Sequence, residues 1–324
     1  MEGNRLRYLI TGGSGYLGTR LVARLAKRPE SERVTVADLR PPPAFASNVA
    51  YEELDVRDRE RARRLVEHER PDALIHLAFV LNPIHDEHRM YEIDVGGTQN
   101  ILEAASAAGT GHVLVTSSTT AYGAFADNPV PLAEDHPVRG MPDFEYARDK
   151  AESDRLCQLW GCQHPDRTMT IVRPCIVFGP NVDNYIVRTF SDQPFFADLG
   201  GGDPPIQFVH EDDVVDALTG LLDGRHEGAF NVTPDDWMTV AECAELIGLR
   251  RVRVPFGPYR ALAQALWRLR RSETPAGNLH FVRHPWVASN ERVKAALGWT
   301  PRHSSRETFE ITMRARGADV QTAA

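Results

Sequence analysis

The sequence predicts an α/β fold in which a doubly wound parallel sheet is joined to a smaller C-terminal lobe. Three observations support this prediction. Short apolar segments alternate with longer amphipathic ones in the first half, a glycine-rich segment follows the first apolar segment, and Pro and Gly become frequent after Pro174. Strand–helix alternation is typical of βαβ units, whose right-handed crossovers bring the carboxyl ends of the strands to one ligand-binding edge.

The predicted elements follow one another from the N-terminus. Buried strands are predicted for residues 8–11, 34–38, 73–77, 113–116 and 170–173. Helices are predicted for residues 17–27, 58–69, 90–108 and 146–160, where apolar or charged residues recur at helical spacing. After Pro174 the sequence predicts one more strand–helix pair, at 206–209 and 212–222, and shorter elements that include 240–247 and 259–269.

Composition excludes several classes of protein. The chain has 324 residues, of which 42% are hydrophobic and 25% charged, as in ordinary globular proteins. A formal net charge of -8 argues against a nucleic-acid partner. We expect no membrane partner and a cytoplasmic location, because the sequence contains no long apolar segment and no signal-peptide pattern. The four cysteines lack metal spacing, and the pair His280 and His284 has no third ligand, so we expect no metal site.

Residues 11–18, with the sequence Thr-Gly-Gly-Ser-Gly-Tyr-Leu-Gly, lie between the first predicted strand and the first predicted helix. Glycines allow a sharp turn and a close approach to a pyrophosphate, which the free N–H groups of a helix N-terminus then bind. This pattern predicts a Rossmann-type dinucleotide site. Its candidate contact residues are Gly12, Gly15, Tyr16, Leu17 and Gly18.

Asp38 ends the second predicted strand, at the distance from the glycines expected for a residue that binds the adenosine ribose. Its carboxylate would repel the 2′-phosphate of NADP, so we expect NAD as the cofactor. Arg40 could instead pair with that phosphate, which would favour NADP. Asp55 and Val56 end the next extended segment as candidates for contact with the adenine, although a solvated loop acid is an equal alternative for Asp55.

A candidate catalytic set lies between the fourth and fifth predicted strands. Tyr146 and Lys150 are four residues apart on a predicted helix and therefore share a face. An ammonium group near a phenol lowers its pKa from about 10, so that the tyrosine can exchange a proton with a substrate hydroxyl. Ser118 follows the strand at 113–116, where its hydroxyl could orient the substrate oxygen or simply cap a helix.

Taken together, these motifs resemble the extended branch of the short-chain dehydrogenase/reductase superfamily, which is the NAD-dependent epimerase/dehydratase-like branch. The matching segments are 11–18 (TGGSGYLG), 76–78 (HLA), 94–98 (DVGGT), 116–118 (TSS), 122–123 (YG), 146 and 150 (Y and K), 173–174 (RP), 179–180 (GP), 208–210 (FVH) and 212–213 (DD). They occur in the family's order and cover about two thirds of the chain.

The resemblance implies roles for individual residues. Ser118, Tyr146 and Lys150 would be catalytic, and Leu77, Ala78 and Pro174 would line the cofactor. Residues 1–175 would form the NAD-binding Rossmann domain, to which 206–223 return, while 176–205 and 224–324 would form the substrate-binding lobe. Relatives pair the helices that correspond to 90–108 and 146–160, so we expect a homodimer with Leu156 and Leu159 at its interface.

Departures from the family pattern bear on the reaction. Thr119 and Thr120 replace the Asp-Glu pair of sugar-nucleotide dehydratases, and two hydroxyl groups cannot act as the acid and base of water loss. Ile176 and Ile206 replace an Asn and an Arg that are common in UDP-sugar epimerases, which removes a diphosphate partner. Asp94 replaces a common Asn, a change that could alter a helix kink or a proton route.

These observations leave three functions open. The leading interpretation is an NAD-dependent oxidoreductase that acts on a secondary alcohol or ketone as a nucleotide-sugar epimerase, through a transient keto intermediate. The alternative is a net NAD-dependent dehydrogenase or reductase of a smaller alcohol or ketone. A non-catalytic NAD-sensing module would need only the glycine loop, so the candidate catalytic set argues against it.

Overall fold

The computed structural model describes residues 5–43, 46–200, 202–318 and 320. Its strands are β1 (Leu6–Thr11), β2 (Ser31–Asp38), β3 (Val49–Glu53), β4 (Ala73–His76), β5 (His112–Thr116), β6 (Thr168–Pro174), β7 (Ile176–Phe178), β8 (Phe196–Asp198), β9 (Pro205–Ile206), β10 (Phe208–His210), β11 (Gly228–Val232), β12 (Met238–Thr239) and β13 (Arg251–Arg253).

Its α-helices are α1 (Tyr16–Ala26), α2 (Arg59–Glu69), α3 (Glu87–Tyr91), α4 (Gly97–Ala108), α5 (Glu145–Gln163), α6 (Tyr185–Ser191), α7 (Glu211–Asp223), α8 (Val240–Leu246), α9 (Phe256–Arg268), α10 (Glu291–Leu297) and α11 (Ser305–Ala315). A π-helical turn at Glu92–Gly96 and 3-10 helices at Thr119–Tyr122 and Ala276–Val282 complete the set for the described ranges. None of the helices in these ranges is both long and apolar enough to cross a bilayer.

A seven-stranded parallel sheet with the order β11-β6-β5-β4-β1-β2-β3 forms the centre of the molecule. Alternate residues of each strand face opposite sides, as Leu9 and Ile10 of β1 do, and both are fully buried. Helices α1, α7 and α10 cover one side of the sheet, and α2, α4 and α5 cover the other. The structure confirms the predicted doubly wound α/β fold.

The predicted helix at 90–108 is divided in the structure. Helix α3 leads into the π-helical turn, which contains the buried Asp94, and α4 continues after it. Gly97 packs so closely on Val56 that a Cβ atom there would lie 2.6 Å from the Val56 Cγ2 atom. This contact and the extra residue of the wide turn set the direction of α4, and neither is visible in the apolar periodicity of the sequence.

The structure places two elements differently from the prediction made from the sequence. Strand β11, which falls within the predicted lobe segment 224–324, is an edge strand of the central sheet and pairs with β6. The predicted strand at 206–209 is split between two small sheets, since β9 pairs with β12 and β10 pairs with β7. Gln207 lies between the two strands. Its side-chain oxygen accepts a hydrogen bond from the Ala288 N–H at 2.9 Å, and its side-chain nitrogen donates to the Ala288 carbonyl oxygen at 3.2 Å. The division into two lobes otherwise stays a prediction.

An aromatic cluster fills the core beside the carboxyl edge of the sheet. The ring centroids of Phe178 and Phe208 lie 4.8 Å apart, and Phe309 lies 5.1 Å from Phe208. Phe190 contacts Phe309 with its ring edge, at 5.2 Å between centroids. These four buried rings join β7, α6, β10 and α11 into one packed unit, of which Phe190 reaches the cavity described below.

Candidate functional site

The glycine-rich turn between β1 and α1 forms the floor of the site. Gly12 has φ +71°, and a Cβ atom there would lie 2.5 Å from the backbone nitrogen of Ala78. A Cβ atom on Gly18 would lie 2.2 Å from the carbonyl oxygen of Gly12. Only glycine therefore allows this tight turn. No side chain caps α1 at Gly15, so the first N–H groups of the helix remain available to an anion such as a pyrophosphate.

A cavity of about 280 Å³ opens above this turn. Its lining includes these residues that the sequence analysis singled out: Gly12, Gly15, Tyr16, Leu17, Gly18, Leu77, Ser118, Tyr146, Lys150 and Pro174. Residues far apart in the sequence meet here because the carboxyl ends of β1, β4, β5 and β6 lie along one edge of the sheet.

The remaining predicted cofactor residues lie outside that lining. Asp38, at the end of β2, accepts a hydrogen bond from the backbone N–H of Ser14 at 3.0 Å and so touches the glycine turn. Asp55 forms an ion pair with Arg57, and the side-chain hydrogen bonds from Arg57 lower the pKa of the Asp55 carboxyl. Val56 is buried against Gly97, and Ala78 packs on Gly12. Their contacts with a cofactor stay predictions.

Helix α5 presents Tyr146 and Lys150 to the cavity. Its N-terminal half lies against the 3-10 helix Thr119–Tyr122 that follows β5. Lys150 donates from Nζ to the carbonyl oxygen of Thr116 at 2.8 Å, and its ammonium lies 3.5 Å from the ring centroid of Phe79. The same nitrogen lies 5.9 Å from the Tyr146 ring centroid. The ammonium is therefore held in the same buried pocket as the phenol.

Ser118 lies at the carboxyl end of β5 and is also buried. Its hydroxyl accepts a hydrogen bond from the backbone N–H of Thr120 at 3.1 Å and donates to the Thr120 hydroxyl at 2.9 Å. Ser118 therefore caps the 3-10 helix, the alternative that the sequence analysis left open, and at the same time lines the cavity. Both roles are compatible, since a hydroxyl has one donor and two acceptor sites.

Burial perturbs the titration of this set. Desolvation raises the pKa of Tyr146 above its usual value, the Asp94 carboxyl adds to the rise, and the nearby Ser118 hydroxyl opposes it. Desolvation lowers the pKa of Lys150, while Asp94 acts in the opposite direction. Both shifts favour the neutral forms of the two side chains. Perturbed groups of this kind in one cleft are typical of active sites.

Asp94 is a fully buried acid next to this set. One carboxyl oxygen accepts a hydrogen bond from the backbone N–H of Val80 at 2.7 Å, and the other has no partner among the described residues. Burial raises the pKa of Asp94, against the effects of the Val80 bond and of Lys150, and Asp149 adds to the rise. Because residue 94 is Asp and not the Asn that the family resemblance leads one to expect, a second titratable group lies near Lys150.

A buried network fixes the strand end that faces Ser118. Arg173 and Asp154 form a bidentate pair, with both N–O distances at 2.8 Å and exposed side-chain fractions of 1% and 0%. Ser117 donates to Asp154 at 2.6 Å, and Arg173 donates to the Tyr122 hydroxyl at 2.7 Å. Arg173 belongs to a recognisable sequence motif, whereas Asp154 could not be predicted, because a charged residue on a helix gives no sign that it is buried.

The aromatic side chains of the cavity could not be predicted from the sequence either. Phe79 meets Tyr146 edge to face, with centroids 5.7 Å apart, and Phe144 lies 6.1 Å from Tyr146. Phe281 is 5.7 Å from Phe144, and Trp286 is 5.0 Å from Phe281. Single aromatic residues in a loop-rich segment give no periodic signal, so only the fold could bring them together.

The fold and the cavity define an enzyme of the dinucleotide-dependent α/β class. Residues 8–233 match the profile described as the NAD dependent epimerase/dehydratase family, and the chain belongs to this family. The match confirms the predicted family, its enzymatic character and NAD as its cofactor. No cluster of potential metal ligands occurs in the described part of the chain.

Two similar proteins cover nearly the whole chain. One is the 3-diazoavenalumate denitrifying reductase of a Streptomyces species, which is 27% identical over 321 residues, or 93% of this chain and 97% of its own length. The other is the uncharacterized protein y4nG of Sinorhizobium fredii, which is 28% identical over 313 residues, or 92% of this chain and 76% of its own length.

Solved structures share the fold. The Bordetella bronchiseptica enzyme WbmG in complex with NAD superposes with a TM-score of 0.73 at 20% identity, covering 98% of this chain and 95% of that one. UDP-glucose 4-epimerase from Thermotoga maritima, solved with UDP-glucose, has a TM-score of 0.72 at 21% identity, covering 96% of this chain and 98% of that one. At this identity the likeness shows the Rossmann-type fold.

Proposed function

We propose that this protein is a net NAD-dependent oxidoreductase that interconverts a secondary alcohol and a ketone, with Tyr146 as the acid–base group. The observation that carries the proposal is that Tyr146, Lys150 and Ser118 line the same cavity as the glycine turn. A non-catalytic NAD sensor would have no need of an acid–base set in its cofactor cavity.

The site fits a dinucleotide by its own chemistry. The uncapped start of α1 offers N–H groups to a pyrophosphate, and the glycines keep the turn open to it. Gly12, Gly15, Tyr16, Leu17 and Gly18 would hold the diphosphate, and Leu77 and Pro174 would border the nicotinamide half. Bound NAD supplies a hydride acceptor, or NADH a hydride donor, at its nicotinamide ring.

The chain's own residues would move the proton. In oxidation the hydroxyl proton of the alcohol would pass to the Tyr146 oxygen, while bound NAD would accept the hydride from the carbon. In reduction the phenol returns that proton to the carbonyl oxygen, so atoms and electrons balance in both directions. Ser118 would hydrogen-bond the reacting oxygen, and the Lys150 ammonium would stabilise the phenolate electrostatically.

The raised pKa of Tyr146 keeps the phenol protonated, which is the form that carbonyl reduction needs at its start. A phenol that keeps its proton in the buried pocket is ready to donate it to a carbonyl oxygen. Oxidation needs the phenolate, which forms more readily when the positive nicotinamide and the Lys150 ammonium are both near. The name of the similar Streptomyces protein, a reductase, supports the same choice.

Nucleotide-sugar epimerisation is the second candidate, favoured by the family description and by the Thermotoga maritima epimerase with the same fold. The two functions differ in cofactor use. An epimerase regenerates its NAD in each cycle and retains it, whereas a net reductase consumes one NADH for each carbonyl reduced. Stoichiometric NADH oxidation during turnover would support the reductase.

Replacing Tyr146 by Phe tests the proposal. Tyr146→Phe removes one hydroxyl, and general acid–base groups typically contribute about 100- to 10,000-fold. We expect kcat to fall by roughly that factor while the Kd for NADH stays within about twofold. The rate is followed as NADH absorbance during ketone reduction, and the Kd by fluorescence titration.

Tyr91→Phe is the matched control, since it removes a tyrosine hydroxyl that bonds Glu152 on the surface at 2.5 Å. It should leave kcat unchanged. A Tyr146→Phe enzyme that keeps most of its activity would exclude Tyr146 as the acid–base group.

A further inference from the structure

We propose that the substrate is an uncharged ketone or secondary alcohol with an apolar, aromatic body, and that the cavity does not accept a second nucleotide diphosphate beside the cofactor. This inference rests on the proposed function, because it names the substrate of the same site. It follows from the side chains that form the cavity wall.

The cavity offers almost no charge to a ligand. Among the described residues that line it, Lys150 has the one charged side chain. That ammonium already donates to the Thr116 carbonyl and lies against Phe79. A nucleoside diphosphate that binds away from a helix N-terminus in a partly dry site needs fixed cationic partners, usually bidentate guanidinium groups. No guanidinium lines the described cavity, and the cofactor would occupy the free N–H groups at the start of α1, so the charge of a second diphosphate would be left uncompensated.

Two arginines of the C-terminal half, Arg188 and Arg251, are already engaged in ion pairs. Arg188 of α6 forms ion pairs with Asp183 at 2.8 Å and Glu273 at 3.0 Å. Arg251 of β13 lies 3.6 Å from Asp198 and 3.9 Å from Asp203. Moving either guanidinium into the cavity would break these pairs and bury the charge. The geometry of these two arginines therefore argues against their replacing the diphosphate partner that is absent at Ile206.

Continuous aromatic contacts run from the phenol into the cavity. Tyr146, Phe144, Phe281 and Trp286 follow one another with centroid separations of 6.1, 5.7 and 5.0 Å. The indole N–H of Trp286 donates to the Phe281 carbonyl at 3.0 Å, so this ring presents no free donor to the cavity. A flat apolar body packed on this wall would have its carbonyl beside Tyr146.

Aliphatic side chains continue the same surface. Ile176, Ile186 and Ile206 line the cavity, and Ile176 and Ile206 are almost fully buried. Ile206 is held by its pairing with Met238 between β9 and β12. Hydrocarbon at these positions excludes water and offers a polar hydroxylated sugar no hydrogen-bond partner. An apolar substrate instead gains the free energy of burial.

The test compares ligands that differ in one property. For reduction by NADH, kcat/KM for 4-phenylbutan-2-one should exceed that for butan-2-one by at least about 100-fold, because the added phenyl ring buries a large apolar area. Calorimetry on the NAD-loaded enzyme should show a Kd for UDP weaker than about 1 mM, the affinity expected without a specific diphosphate site. A UDP Kd tighter than this, or equal kcat/KM values for the two ketones, would overturn the inference.

A pair of matched variants tests whether the ketone binds against the apolar wall of the cavity. Ile186→Ala shortens a half-buried side chain that lines the cavity, and Ile247→Ala shortens a half-buried one that does not. Loss of one or two buried methylene contacts should weaken calorimetric binding of 4-phenylbutan-2-one roughly 4- to 15-fold in Ile186→Ala. Ile247→Ala should bind it within about twofold of the parent enzyme. Equal effects of the two substitutions would contradict the assigned wall.

The two proposals fail in different ways. If 4-phenylbutan-2-one binds with the Ile186 dependence described above but Tyr146→Phe does not slow its reduction, the proposed acid–base function is wrong and the substrate class stands. If the enzyme converts UDP-glucose in a Tyr146-dependent reaction and binds UDP tighter than about 1 mM, the oxidoreductase chemistry stands and the substrate class is wrong.

Discussion

Asp94 shows how one atom changes the physics of a site. It occupies a position where the family resemblance leads to an expected Asn, and the two side chains have nearly the same shape. The difference is that a carboxyl can titrate. Its second oxygen is buried without a partner in the described structure, and Lys150 and Asp149 of α5 are the charged groups that act on it. Such a group makes the stability of the fold depend on pH.

We predict that Asp94→Asn flattens this pH dependence. The folded-state pKa of Asp94 is raised, so the folded protein keeps a proton that the unfolded chain loses above about pH 4. Stability contributed by this group is therefore greatest at low pH and falls as the pH rises. Urea unfolding at pH 5 and pH 8 should show the parent losing roughly 1–3 kcal/mol relative to Asp94→Asn. Parallel changes in both proteins would contradict the assignment.

A second prediction at the residue scale concerns Asp38 and the choice of cofactor. We predict that the parent enzyme binds NADH more tightly than NADPH, because the Asp38 carboxylate would repel the 2′-phosphate. Asp38→Asn keeps an oxygen that can accept the Ser14 N–H and removes the charge. It should reduce the preference roughly 10-fold in parallel fluorescence titrations. Equal affinities in the parent would mean that Arg40 dominates.

At the scale of elements, one buried ion pair ties α5 to β6. Asp154 and Arg173 are almost inaccessible, and the pair holds the helix that bears Tyr146 against the strand that ends at Pro174. Bonds from Arg173, Ser117 and Gln158 outweigh desolvation and lower the pKa of Asp154, so the pair remains ionised. Removing one partner of a buried pair leaves the other charge uncompensated.

We predict that Asp154→Asn lowers the free energy of unfolding by about 3–5 kcal/mol. Asp127→Asn is the matched control, because Asp127 pairs with Arg139 through two bonds of 3.0 Å but is 74% exposed. An exposed pair typically contributes below about 1 kcal/mol. Urea denaturation of both variants measures the difference. Similar losses would mean that burial does not set the strength of the pair.

At the scale of the whole molecule, the exposed side of α5 is a predicted surface for homodimer assembly. Leu159 is 54% exposed on this helix, as expected if it meets a partner. We predict a homodimer that pairs α4 and α5 of two copies, and that Leu159→Glu converts it to a monomer by placing a charge in an apolar interface. Light scattering at micromolar concentration measures the mass.

Leu262→Glu provides the control for this assembly, since Leu262 is 55% exposed on α9, away from the predicted interface. It should leave the dimer intact. A parent protein that is monomeric at micromolar concentration would disprove the predicted assembly.

The sequence predicts those parts of the molecule that have a local signature. The alternating segments predict the doubly wound sheet, and the glycine turn and the Tyr146–Lys150 spacing lead to residues that meet in the cavity. The apolar wall has no such signature, because Phe144, Phe281 and Trp286 come from separate segments without periodicity. Strand β11 was missed for a related reason, since a five-residue segment containing Gly and Asn has little strand character outside its sheet.

The position of β11 also affects the order in which the sheet can form during synthesis. The chain leaves the central sheet at Pro174 and returns at Gly228, so 53 residues separate two neighbouring strands. At a synthesis rate of about 5–20 residues per second, the ribosome needs roughly 3–10 seconds to deliver β11 after β6. During that interval the outer backbone groups of β6 lack their strand partner, and an unpaired edge invites pairing with another nascent chain. We therefore expect the nascent chain to be most prone to aggregation during this delay.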